Sequence, residues 1–407
     1  MSEQTDLPPP REIGAALQKT TERLAREVAT PTNEAPAWTD FEWRAAMAVT
    51  VMHGMTVLLA NRLHWHGPTF WEDFMVEQRT QGVLRQQRIE VLLARLQTAA
   101  EQAGLGLLTL KGSALLGLRL YEAGERPMSD IDLLVREEDA EAAAELLESL
   151  DYERDLTSWK HLNLVPRTML ARPHFGEHED NPIKVDLHTR VLERLPVREV
   201  VITSQTLPPQ MHAGLNAYPS NIALMRHLLL HTAGNLREKA VRLIQLHDIA
   251  RLAPGLSTSD WQSMLSTTAE MWWALPPLSL VERYFPGSIP DFVIADLRAR
   301  CPAWLRLSLR GQKLADVSLS RLGIPAFPGV EWSQSLAEAF EMAFKRIFPD
   351  RDMRAMTAAF VRLQPSAAST PWTGSSQLWK IATWLLARAP RVATLYSVRL
   401  AMDYPTR

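Results

Sequence analysis

Cysteine is nearly absent from this sequence of 407 residues: Cys301 is the single one, so neither an intramolecular disulfide nor a cysteine-based zinc cluster can form. That scarcity fits a reducing compartment. Long hydrophobic runs are missing too. No uninterrupted apolar stretch approaches the ~18 residues of a membrane span, and the start, MSEQTDLPPPREIG, lacks the basic-then-apolar order of a signal peptide. A soluble, cytoplasmic protein without a membrane partner is the expectation. Neither sign of charge is in excess: 44 Lys+Arg against 46 Asp+Glu leave a formal net charge of −2, with no global pull towards a long nucleic acid. Walker A and GxGxxG phosphate loops are absent, no Ser-His-Asp arrangement is supported, and no repeat of fixed period is found.

What is present is globular in character. Hydrophobic residues make up 46% and charged residues 22%, which excludes a largely disordered or collagen-like chain. The length suits roughly two or three compact units. After a polar, proline-rich arm, helical spacing recurs over 12–28, and helices are predicted over 40–63 and 71–103, the last stopped by Gly104. The texture then changes. GLLTL (106–110), DIDLLV (130–135), LNLV (162–165) and IKVDLH (183–188) read as strands. A helix is predicted to open at Ser113 and close in the loop at 122–127, and another to follow Asp139 as N-cap. From about 215 onwards the pattern is helical again, with a linker expected over 363–377 and a final helix ending before Pro390. The expected organisation is α+β: an N-terminal arm and helix (1–37), a helical region (38–103), an α/β core (104–200) and a C-terminal helical region (201–407).

The chemistry concentrates in LLTLKGSALLGLRLYEAGERPMSDIDLLV and, some fifty residues on, IKVDLH. Side chains of a strand alternate faces, so Asp130 and Asp132 point one way, and Lys184, Asp186 and His188 share one face of theirs. If the two strands pair, three carboxylates converge on one exposed patch. Such a group resists ionisation unless a cation balances it, and a hard divalent ion such as Mg²⁺ or Mn²⁺ is the natural partner. Gly112-Ser113, at the junction of strand and helix, would offer backbone N–H groups and a hydroxyl to a phosphate, with Lys111 beside them.

In this order the motifs resemble the DNA polymerase β-like nucleotidyltransferase superfamily. They are most similar to a bacterial nucleotidyltransferase family marked by Leu110-Lys111-Gly112, Tyr121 and Arg126 in the spacer, Ser129 to Val135, and Asp186-Leu187-His188. The resemblance covers about 104–190 and implies a polymerase β-like core, a small mixed sheet with helices, flanked by helical regions. It implies that Asp130, Asp132 and Asp186 hold metal and that Asp186 helps deprotonate an acceptor hydroxyl. Lys111, Gly112, Ser113 and Arg126 would bind the nucleotide, with Ser129, Lys184 and His188 lining the pocket. The co-substrate would be an NTP, with ATP expected. The acceptor stays open between a small molecule, a peptide and a protein, and a non-catalytic binding protein on the same scaffold is the alternative. Thr189 stands where relatives often carry an aromatic residue.

Two readings stand for the cations: phosphate contacts, or a solvated Lys111 and an Arg126 paired with Glu122 or Glu125. Tyr121 is expected to pack and close its helix. His227 and His231, four apart on a helix, read as core or surface residues, because no third ligand stands out. His174 and His178 are assigned to a loop. The Trp-rich helix around Trp379 and Trp384 is expected to pack against the helical region.

Overall fold

The computed structural model describes residues 7–168, 173–266, 271–349, 377–386 and 389–405. Pro10 opens the first helix, α1 (Pro10–Ala29), where its missing N–H is no loss. A capping box starts α2 (Asp40–His53): Thr39 accepts the Glu42 N–H, and Glu42 accepts the Thr39 N–H. The single helix expected over 40–63 is two, because Gly54, left-handed at φ 63°, ends α2 before a short α3 (Thr56–Ala60). A β-carbon at Gly54 would lie 2.5 Å from the Arg242 guanidinium, so the break also admits that arginine. The long α4 (Thr69–Ala103) ends at Gly104 as its spacing predicts.

The α/β part follows: β1 (Gly106–Thr109), α5 (Lys111–Gly117), β2 (Asp130–Leu134), α6 (Ala140–Ser149), β3 (Tyr152–Thr157), β4 (Leu162–Pro166) and β5 (Lys184–His188). Next come β6 (Leu192–Arg194) and β7 (Glu199–Val201), a separate two-stranded sheet, then α7 (Thr203–Thr206) and β8 (Gly214–Asn216). The main sheet is mixed, in the order β3-β4-β5-β2-β1-β8. Its β2–β5 and β1–β8 pairs are parallel, the others antiparallel. Four of these strands carry no clear signal: β3 is largely charged, and β6, β7 and β8 are three residues each. Two helix boundaries also differ from expectation. α5 begins at Lys111, not Ser113, and stops at Gly117. Asp139 precedes α6 but its side chain makes no capping bond, because 137–139 already form a 3₁₀ turn.

Helices return with α8 (Asn221–Arg237) and α9 (Leu243–Leu252), and with Leu336–Ile347 further on. The helix Gln377–Leu385 is not the last; Val392–Met402 follows Pro390 and packs against α2. The expected linker lies outside the described residues, Gln377 excepted. Among the described residues no helix is long and apolar enough to cross a membrane.

Period-two alternation divides the sheet. Ile131, Leu133, Leu164, Val185 and Leu187 are buried with Ile89 and Leu96 of α4 and Leu147 of α6. A larger cluster joins Ile13, Trp43, Leu108 and Leu224, so the helical flanks and the α/β part share one core. Burying a leucine-sized side chain contributes about 1.5–3 kcal/mol, and this face holds the sheet against α4.

Arg85 of α4 fixes where the two central strands begin. Its buried guanidinium donates to the carbonyls of Met128 (3.2 Å), Asn181 (2.6 Å) and Pro182 (3.2 Å), just ahead of β2 and β5. It also faces Glu177 at 3.2 Å. Arg85→Met keeps the apolar stem but strands four carbonyls, that of His178 included, and one carboxylate, so a loss of roughly 3–5 kcal/mol is expected in urea unfolding. A loss below ~1 kcal/mol would mean that the strands are placed by packing alone.

Candidate active site

Parallel pairing sets Asp132 of β2 level with Asp186 of β5, and Asp130 level with Lys184. On the other side of β5, antiparallel pairing sets Asn163 of β4 level with Asp186. Alternation therefore gathers Asp130, Asp132, Asn163, Asp186 and His188 on the face opposite the core. His161, one residue before β4, extends that row, its ring centroid 4.8 Å from that of His188. The three carboxylates predicted to share a face do so. The patch is not exposed as expected, since Asp132 and Asp186 are both buried.

Burial makes the partners decisive. Oδ1 of Asp132 accepts from Lys111 Nζ at 2.6 Å and from His188 Nε2 at 3.0 Å. Burial alone would raise the Asp132 pKa, but the ammonium and the imidazole outweigh it and hold the carboxyl well below its ordinary range. Asp186 goes the other way. Burial, then the negative charges of Asp132 and Asp130, push it up to about 7, against the opposing bond from Asn163 Nδ2 at 2.6 Å. His161 Nε2 stands 3.3 Å from Asp186 Oδ2. Its burial, with the neighbouring His188, brings it down to about 3, so the ring is neutral at pH 7.

Lys111 reaches Asp132 from an unusual backbone. Its φ of 46° is left-handed, a conformation that costs a non-glycine residue about 1–3 kcal/mol. Its N–H donates to Tyr218 Oη at 3.4 Å, and that hydroxyl shares a hydrogen bond with His227 Nδ1 at 2.6 Å. A cavity of about 170 Å³ opens over the row. Lys111, Asp130, Asp186 and His188 line one side, and Lys160, Glu193, His227 and His231 the other. Lys160 donates to both Glu193 oxygens, at 2.7 and 2.6 Å. A larger cavity of about 550 Å³ lies between the start of α1 and residues 315–323, away from the carboxylates. Its size assigns it no chemistry, so the smaller cavity is the candidate site.

The remaining predicted residues are placed less simply. Arg126 pairs with neither Glu122 nor Glu125; it holds Asp248 of α9 through Nε (3.2 Å) and Nη2 (2.7 Å). Tyr121 donates to the same carboxylate at 2.7 Å, so it anchors α9 as well as packing. Lys111 is no solvated lysine. Ser113 is buried with its hydroxyl towards Met128 Sδ, 4.0 Å away, and a β-carbon on Gly112 would meet that sulfur at 2.6 Å. Ser129 is exposed, and Lys184 is half-buried and does not line the cavity. Lys160, His161, Asn163 and Glu193 were missed. The alternation in HLN (161–163) would have found His161 and Asn163. His227 and His231, read as core or surface histidines, line the cavity.

The model of a family described as an uncharacterised nucleotidyltransferase matches residues 39–281, more than half of the chain. The chain belongs to this family. The match spans α2 to α4, the sheet itself and α8 and α9, so the family unit is larger than the motif-bearing stretch 104–190. No curated protein and no solved structure matches the chain.

The site has a pH signature. The folded chain retains the Asp186 proton from near pH 4 up to about 7, where the unfolded chain has lost it. Stability therefore falls as pH rises through that window. Asp186→Asn, in the presence of a chelator, is expected to raise the melting temperature at pH 8 by a few kelvin and to leave it unchanged at pH 4. Each pKa unit is worth about 1.4 kcal/mol. Equal shifts at both pH values would refute a raised carboxyl.

Proposed function

We propose that this chain is a metal-dependent nucleotidyltransferase of polymerase β-like fold, moving an NMP, with ATP the expected donor, to a hydroxyl or phosphate of a small-molecule, peptide or protein acceptor. The observation that carries the reading is the level pairing of Asp132 and Asp186, with Asp130 two residues along, beneath a cavity that also receives Lys111. In the transfer, an acceptor oxygen bonds to the α-phosphorus, the bond to the β-phosphate oxygen breaks, and pyrophosphate leaves. Asp186, which lines the cavity, takes the hydroxyl proton. Lys111 sits where an ammonium can follow the triphosphate charge. Lys160 and Glu193 form the facing wall, against which the acceptor is positioned.

The carboxylates suit a divalent ion. Asp186 is held partly protonated by burial and by its neighbours' charge, and a dication relieves that repulsion. Mg²⁺ or Mn²⁺ would be held by Asp130, Asp132 and Asp186, and supplies neutralisation of triphosphate and pyrophosphate charge when bound. Gly112 keeps the backbone close to the site, although its β-face is filled by Met128. The engaged Arg126 acts by anchoring α9 rather than by touching phosphate. A second reading, a non-catalytic nucleotide- or partner-binding protein, draws on the Ser113 hydroxyl being turned into the protein.

The test is transfer of label from α-³²P-ATP, then from each other NTP, into a cell extract with Mg²⁺ or Mn²⁺. Wild type is expected to transfer label, and Asp130→Asn/Asp132→Asn to lose at least ~100-fold while retaining its fold. Nucleotide binding without transfer in any extract, unchanged in the double variant, would favour the binding protein.

A further inference from the structure

One ligand atom each from His161, Asp186 and His188 lie within 4.8 Å of one another beside the cavity. A site built for Mg²⁺ has no use for the two imidazoles, because that ion takes oxygen ligands. The charges around them are also distributed unequally. Lys111 already neutralises Asp132 at 2.6 Å, which leaves Asp186, together with Asp130, open to an added cation. His188 gives its Nε2–H to Asp132, and that bond selects the tautomer whose Nδ1 keeps a lone pair. A carboxylate behind an imidazole in this way orients metal-binding histidines and makes them more basic. His161 directs Nε2 at Asp186 Oδ2, 3.3 Å away, and its Nδ1 is buried without a partner.

We infer that the cavity binds one transition-metal dication, of the Mn²⁺, Co²⁺ or Zn²⁺ kind, through His161, Asp186 and His188, in preference to Mg²⁺. Two nitrogen donors and one oxygen suit borderline ions and leave positions open for phosphate oxygens. The inference deepens the nucleotidyl-transfer reading and rests on it for the use of the ion, not for its binding. In this binding mode Asp132 is the outer partner of His188 and of Lys111, in place of the direct ligand that it is to Mg²⁺.

A second set, His174, His178 and Asp180, has its ligand atoms equally close, on a more exposed loop where the two rings stack at 3.7 Å. It would compete for the same probe. The experiment therefore uses the untagged full chain carrying His174→Ala/His178→Ala, stripped by chelator and titrated with Co²⁺, with visible d–d absorption as readout. A single Co²⁺ is expected to bind and to survive about 100-fold excess Mg²⁺. His161→Ala, and separately the more conservative His161→Asn, should weaken Co²⁺ binding by about tenfold or more. Mg²⁺ affinity, by calorimetry, should change less than about twofold. Displacement of Co²⁺ by equimolar Mg²⁺, or unchanged Co²⁺ affinity in either variant that melts like its parent, would overturn the inference. Equilibrium dialysis of ATP on the same samples separates the two ideas. His161-dependent Co²⁺ binding without ATP binding keeps the metal site and removes the transferase reading. ATP binding without a His161-dependent Co²⁺ site does the reverse.

Discussion

Two buried carboxylates set level on neighbouring parallel strands repel one another, and the surroundings of Asp132 and Asp186 resolve that conflict unequally. Asp132 receives an ammonium and an imidazole N–H; Asp186 receives an amide, with the neutral His161 ring beside it. One carboxyl is therefore ionised under all ordinary conditions, while the other stands near its midpoint at neutral pH. The left-handed backbone of Lys111 follows from this need, since it turns the ammonium back onto β2 immediately after β1 ends. Tyr218 and His227 then hold the strained residue from above.

Such a site needs a rigid frame, and two arginines supply it, both at the entry to β2. Arg85 sets the starts of β2 and β5. Arg126, with Tyr121, grips the buried Asp248 and ties the loop before β2 to α9. Because α8 and α9 also enter the large core cluster, the wall carrying His227 and His231 is fixed relative to the carboxylates. The family match ends at residue 281, beyond α9, in keeping with a unit that includes this wall.

The sequence carried a good part of this. Alternation put Asp130 with Asp132 in DIDLLV, and Asp186 with His188 in IKVDLH, to converge if the two strands pair, and the pairing has the needed register. The long α4 and its glycine stop were equally plain, because a 35-residue amphipathic pattern has few alternatives. What escaped was long-range. β3 is a strand by pairing with β4, not by its own charged sequence. Asp248 lies 122 residues from Arg126, so local spacing could offer only Glu122 and Glu125 as partners. Gly112-Ser113 was read as a cradle for phosphate; Met128, fifteen residues on from Ser113, packs on the β-side of Gly112 and receives the Ser113 hydroxyl, contacts that local spacing does not offer. Lys160 and Glu193 meet through a bend that no periodicity encodes.

The same sheet order has a bearing on solubility. An open sheet exposes two unpaired strand edges, each able to recruit a second chain. Here one edge is β8, only three residues long, and the other is β3, whose Glu153, Arg154 and Asp155 are exposed. Arg154 is moreover drawn aside by Glu141 and Glu148. Stacking another strand there would bury charges without partners, so the charge that hid β3 from prediction also guards the sheet against edge-to-edge association.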